Sequence, residues 1–144
     1  MMRFITVILS LAVTAGCGTM PPSNRDTDRT LLLAKANDGA KSIEAESLAE
    51  QYSGDAALRL VTLYVTSKGL YAAYWDLTRG SYGLAFKIKY PEIASVENKT
   101  ITIGWSQVAM LVINDIDGYQ TGFAYVTPGS EVALTLKRNI AAKK

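Results

Sequence analysis

Apolar and polar positions along this chain fall into stretches of different period. Phe4 to Gly16 carries no charge and is dominated by Ile5, Val7, Ile8, Leu9, Leu11, Ala12 and Val13. Gly18 to Asp28 is polar, contains Pro21-Pro22 and has no apolar rhythm, which predicts a tether. From Arg29 to Tyr52 the sequence is rich in Leu, Ala, Lys and Glu, interrupted by Asn37-Asp38-Gly39, a trio that favours a helix stop. We therefore expect one short helix over 29–36 and a second over 40–51.

Beyond Asp55 the period becomes two. Leu58 to Thr66 predicts a strand whose two faces are both β-forming, and so covered on both sides. Ser67-Lys68-Gly69 predicts a turn into a partner strand, Leu70 to Asp76. The stretch 78–83 (Thr-Arg-Gly-Ser-Tyr-Gly) predicts a loop, and Leu84 to Lys89 alternates cleanly. Pro91 breaks the ladder. Segments 94–97 and 100–105 predict two short strands, and 108–113 is apolar throughout. Asn114 to Gly118 predicts a turn into a strand over 119–126. A last helix is expected with Thr127 as its N-cap and Pro128 in its first turn. Its stripe is Val132, Ala133, Leu136 and Ile140.

These elements add up to an α+β chain: an N-terminal helical segment, then an antiparallel β-meander forming a partly open barrel closed by a C-terminal helix. The divisions are 1–16, an export signal; 17–28, Cys17 and a tether; 29–53, helical; and 54–144, the β-domain with its final helix.

Composition narrows the function. With 144 residues, no His and one Cys, the chain lacks the commonest general base and has no internal disulfide or Cys-based zinc site. The formal charge is +2, and removal of Arg3 with the signal brings it close to neutral. No basic stripe remains for nucleic acid. Lys137, Arg138, Lys143 and Lys144 form one basic cluster, a solvated helix end or a contact for anionic headgroups.

Thirteen apolar residues are too few for a permanent span, which needs about 20. They end in Thr14-Ala15-Gly16 directly before Cys17. This resembles the lipobox of bacterial lipoproteins, with Thr14 where Leu is commonest. The resemblance implies cleavage before Cys17, acylation of its sulfur and its new amine, and membrane association through that lipid. Gly18, rather than Asp, implies the periplasmic face of the outer membrane.

A second likeness lies in the β-region. Leu63-Tyr64-Val65-Thr66-Ser67-Lys68-Gly69-Leu70, followed by the segment 85–97 (AFKIKYPEIASVE), resembles the pleckstrin-homology-like superfamily, particularly its GRAM-type branch. Asp117-Gly118-Tyr119, Phe123 and the closing helix extend the similarity over about 57–141. No phosphoinositide-binding residues carry over, because the first hairpin turn lacks their basic cluster.

Catalytic motifs are thin: no G-x-S-x-G elbow, no Walker loop and no triad His. Asn114, Asp115 and Asp117 have the look of a calcium loop, but position 124 is Ala where an EF-hand needs Glu, so a hairpin turn is expected. Tyr71, Tyr74, Trp75 and Tyr82 concentrate aromatic surface beside the Gly-rich stretch. They are the candidate ligand or partner site, or else the rings of a small barrel core. The expectation is a non-enzymatic envelope lipoprotein acting as a binding or assembly module, with an envelope protein as partner and no cofactor, metal or nucleic acid. The alternative is a small carrier for an apolar ligand or lipid.

Overall fold

The computed structural model describes residues 27–143. The signal segment 1–16, Cys17 and the tether up to residue 26 lie outside the described residues. Helix α1 (Thr27–Asp38) begins inside the expected tether and stops at the expected trio. Gly39 has φ +70° and donates its N–H to the Lys35 carbonyl at 3.0 Å, the left-handed residue that commonly follows a helix. Asp38 Oδ1 accepts the Ala40 N–H at 2.8 Å and turns the chain out of the helix.

The second expected helix is a strand, β1 (Ile43–Ser53). Its Ala and Glu content favours helix, but its alternation favours a sheet. Ala45, Ser47, Ala49 and Gln51 take one face, while Glu46, Leu48, Glu50 and Tyr52 take the other. The small residues on the first face let a helix approach closely, and that packing overrides propensity.

Strands β2 (Ala56–Thr66) and β3 (Gly69–Asp76) form the expected hairpin. Strand β4 (Ser81–Lys89) starts earlier than expected: Tyr82 and Gly83, assigned to a loop by their glycines, pair with Trp75 and Tyr74. Gly83 is needed there for close packing, since a Cβ would lie 2.7 Å from the Tyr74 ring. A 3₁₀ turn at Tyr90–Glu92 carries Pro91. The two short strands expected next are a single one, β5 (Ile93–Ile103), because Asn98 and Lys99 are exposed strand positions and not a turn. The reversal comes at Gly104-Trp105, where Gly104 supplies φ +60°. Strands β6 (Ser106–Asp115) and β7 (Gln120–Ala124) follow. Asp115 Oδ1 accepts the N–H groups of Asp117 (2.9 Å) and Tyr119 (2.8 Å), so this acidic loop is a hairpin turn.

Helix α2 (Glu131–Ala141) starts three residues later than expected. Its N-cap is Ser130, whose Oγ accepts the Ala133 N–H at 3.3 Å. Thr127 instead closes a turn, taking the Ser130 N–H on its carbonyl at 3.0 Å.

The strands form one seven-stranded antiparallel sheet, ordered β4-β3-β2-β1-β7-β6-β5, bent but not closed. On the inner face Val132, Ala133 and Leu136 of α2 meet Ala45, Ala49, Leu63, Val65, Leu111 and Phe123. Ile140 completes the stripe. The outer face of β2-β3-β4 is covered by α1, where Ala34 and Leu33 pack on Tyr64, Tyr71 and Ala73. This explains why β2 is apolar on both faces. Asn139 ties α2 to the sheet, donating to Glu44 Oε2 at 2.6 Å and to the Tyr90 hydroxyl at 2.9 Å.

Candidate functional site

Alternation along β3 divides the four candidate aromatics among three settings. Tyr71 points outward into the seam beneath α1 and is 1% exposed. Its ring stacks on Tyr64, with centroids 5.3 Å apart and planes 12° apart, and its hydroxyl donates to Asp38 Oδ2. Tyr64 is fully buried beside it, and its hydroxyl has no hydrogen-bond partner among the described residues. Burial, reinforced by the Asp38 charge, pushes the Tyr64 phenol well above its ordinary value of 10.0.

Trp75 and Tyr82 meet edge to face at 5.1 Å on the outer surface, both half-buried. Tyr74 lies on the opposite face, where the Arg59 guanidinium sits 4.8 Å from its ring centre. The structure thus brings Trp75 and Tyr82 together, places Tyr71 in packed interior and separates Tyr74 from all three. The four do not line one pocket.

A different surface is open. On the β1-β7-β6-β5 half of the sheet, the outer face carries no helix among the described residues. A groove of about 660 Å³ runs across it. Ile101, Ile103, Met110, Val112 and Gly122 make its apolar floor; Tyr52, Asp55, Lys99, Thr102 and Gln120 supply its polar fringe. The floor follows from strand period, since Val108, Met110 and Val112 point outward while Leu111 and Ile113 point into the core. Tyr52 donates its hydroxyl to Glu50 Oε2 at 3.0 Å; burial, that bond and the nearby carboxylate raise its pKa.

Two flanking features add to this face. Trp105, at the β5–β6 turn next to the groove residue Gly104, is fully exposed. Tyr125 is half-exposed and has φ +69°, a left-handed conformation that costs about 1–3 kcal/mol in a residue with a bulky side chain. Large aromatics beside a desolvated aliphatic floor are the composition of a binding surface. Sequence reading overlooked it, although the uninterrupted apolar run 108–113 was its signal: both faces of β6 are apolar, and among the described residues only the inner one meets a helix.

A second cleft, of about 300 Å³, lies at the other end of the domain between Lys68, Lys89, Pro91 and Lys143. Of the basic cluster expected from sequence, Lys143 reaches this cleft; Lys137 and Arg138 are exposed on α2, and Lys144 lies outside the described residues. No group of His, Cys, Asp and Glu side chains able to hold a metal ion occurs among the described residues. No helix among them is long and apolar enough to cross a membrane.

No protein-family model matches the chain, and no curated protein matches it. Among solved structures it is similar to a chain in a structure of Vav1 inhibited by an allosteric inhibitor, at 13% sequence identity and a TM-score of 0.46. The match covers 70% of this chain and 18% of that one.

Proposed function

We propose that the chain is a non-catalytic binding or assembly module of the cell envelope, with a pleckstrin-homology-like domain held to the membrane by lipid on Cys17. The observation that carries the binding role is the open groove on the β1-β7-β6-β5 face, with its aliphatic floor and flanking Trp105. One half of the same outer sheet face is covered by α1; on the other half Val108, Met110, Val112 and Ala124 are buried, Ile101 and Ile103 are half-buried, and Trp105 stands fully exposed beside them. A partner seated on Ile101, Ile103 and Trp105 would remove their remaining apolar surface from water. The order of elements, a seven-stranded meander followed by a helix on the inner face, supports the pleckstrin-homology-like reading. The lipobox supports the anchor and a place on the periplasmic face of the outer membrane.

The carrier reading is weaker in its original form. The space between sheet and α2 is occupied by Leu63, Leu111, Phe123 and Leu136, so an apolar ligand would lie in the outer groove and not inside the domain.

Two measurements test the proposal. Cys17→Ser should release the protein from membrane fractions or leave it unprocessed; normal processing with membrane retention refutes the anchor. A photo-crosslinking residue at Gln120, on the groove rim, should capture a discrete partner in the native host. The same residue at Lys137, on the exposed side of α2, should not. Equal yields from both positions, or none from Gln120, refute the groove as the binding surface. Native mass spectrometry of the purified protein then separates a bound lipid from a protein partner.

A further inference from the structure

We propose that two copies of this chain associate through β5, pairing the strands antiparallel about a two-fold axis at Asn98.

The sheet has two edges, and they are unequal. Strand β4 is blunted: Lys87 and Lys89 are exposed, its pairing with β3 slips between Ala72 and Ala73, and α1 rests against it. Strand β5 is less protected: its register slip is confined to its start, between Ile93 and Ser95, and its one exposed lysine, Lys99, is matched by Glu97. It runs for 11 residues without Pro or Gly, and its register with β6 is regular from Ser95 to Ile103. Its side chains from Glu97 to Thr100 are all exposed. A long, regular edge with no strand on its far side among the described residues is a template for another strand.

Charge selects the strand. In an antiparallel pair centred on Asn98, Glu97 of each copy lies opposite Lys99 of the other. Both side chains are on the outer face, because they pair with Val112 and Met110 of β6. Within one copy Lys99 Nζ is 3.6 Å from Glu97 Oε2 and Asn114 Nδ2 donates to Glu97 Oε1 at 2.9 Å; both charged side chains are still about half-exposed, within reach of a second counter-charge. Moving the axis one residue either way sets Glu97 against Glu97 or Lys99 against Lys99. Directly opposed like charges destabilise a ladder, so this strand is self-complementary in one register and repulsive in its neighbours. A lone Lys on an edge discourages pairing; a Lys two residues from a Glu, about a two-fold axis, favours it. The contact is isologous and closes at two copies.

The full chain carrying Cys17→Ser leaves any introduced thiol alone. Asn98→Cys should form a disulfide-linked dimer under mild oxidation, since directly opposed Cα atoms lie about 4.5–5.5 Å apart. Thr102→Cys should not, because in this register the two thiols are about 26 Å apart. Light scattering should give a dimer mass for the unmutated strand. Glu97→Lys should weaken association at least about tenfold, and Glu97→Lys with Lys99→Glu should restore it. Circular dichroism checks that each variant keeps its sheet. A monomer mass for the unmutated strand overturns the proposal, and any partner of β5 is then a different protein. Equal crosslinking at positions 98 and 102, or failure of the double charge swap to restore dimers, overturns the register.

Discussion

Gly69 opens β3 directly after the Ser67-Lys68 turn, and its partner across the ladder is Lys89. Its φ is not in the left-handed region, so the demand for glycine here is purely one of space. A Cβ at this position would lie 2.1 Å from the Ile88 carbonyl oxygen and 2.9 Å from Lys89 Cα. An ordinary carbon–oxygen contact is about 3.3 Å or more, so roughly 1.2 Å of overlap must be absorbed by backbone. Side chains cannot rotate away from it. The end of β4 would have to withdraw from β3, opening their last pairing. The bond from the Tyr90 N–H to the Lys68 carbonyl, now 3.3 Å, would be lost with it. The Thr66 hydroxyl that receives the Lys68 and Gly69 N–H groups, at 3.0 and 3.3 Å, would also be displaced. Overpacking of about 1–3 kcal/mol with one or two lost hydrogen bonds at about 1 kcal/mol each predicts that Gly69→Ala costs about 2–5 kcal/mol. In urea, at a slope of about 2 kcal/mol/M, the midpoint should fall by about 1–2.5 M with the slope unchanged. Gly129→Ala is the matched control: its Cβ would meet nothing within 4 Å and its φ is not left-handed. It should be neutral, or stabilising by up to about 1 kcal/mol through the unfolded state. A Gly69→Ala midpoint within error of Gly129→Ala would show that the β3–β4 junction yields more easily than this spacing allows, and the reasoning would fail.

Two further predictions concern the helix start and the buried phenols. Ser130→Ala should cost about 1 kcal/mol in urea unfolding, while Thr127→Ala should cost little, because Thr127 acts through its carbonyl; the reverse ranking would move the cap back to 127. Tyr64 holds its proton in the folded state more tightly than in the unfolded chain, where its pKa is about 10.0. Above pH 10 the unfolded state therefore binds fewer protons than the folded state, and stability should fall as pH rises, by up to about 1.4 kcal/mol per pH unit for this group. Tyr64→Phe also removes an unpartnered hydroxyl, so it should be near neutral at pH 7 and shallower in its alkaline decline. Identical alkaline slopes for the two proteins would refute the assignment.

The strand meander was legible because β2, β3, β4 and β6 carry strong period-two patterns or turn residues at their ends. The helix stop at Asn37-Asp38-Gly39 and the stripe of α2 were legible for the same local reasons. Strand β1 was not. Its inward face starts with Ala45, Ser47 and Ala49, whose small size makes sense only once α2 is known to lie against them. Asn98 and Lys99 suggested a turn because strand interiors rarely expose such residues on both faces; an edge does. The candidate site was the least legible part. Counting aromatics found Tyr71, which packs beneath α1, and passed over Ile101, Met110 and Val112, ordinary residues that together line the groove. Whether a face is covered depends on where a distant helix goes, and local pattern does not record that.

The position of β1 also sets the order in which the domain can assemble. Strands β4 and β5 lie at opposite edges, and every pairing joins strands consecutive in sequence except one seam, where Glu50–Ser53 of β1 meets Thr121–Ala124 of β7. The pairs β1–β2, β2–β3 and β3–β4, and likewise β5–β6 and β6–β7, close short loops and can form as soon as their residues are available. The seam alone must join segments some 70 residues apart, at the full entropy of closing that loop. This topology predicts that two meanders mature separately and meet late, when the β1–β7 seam closes. Changes at Gly122 or Phe123 should slow folding more than equal losses of stability in the early hairpins only if the seam belongs to the rate-limiting barrier; otherwise they will appear as faster unfolding, and the two halves will be seen to open along this line first.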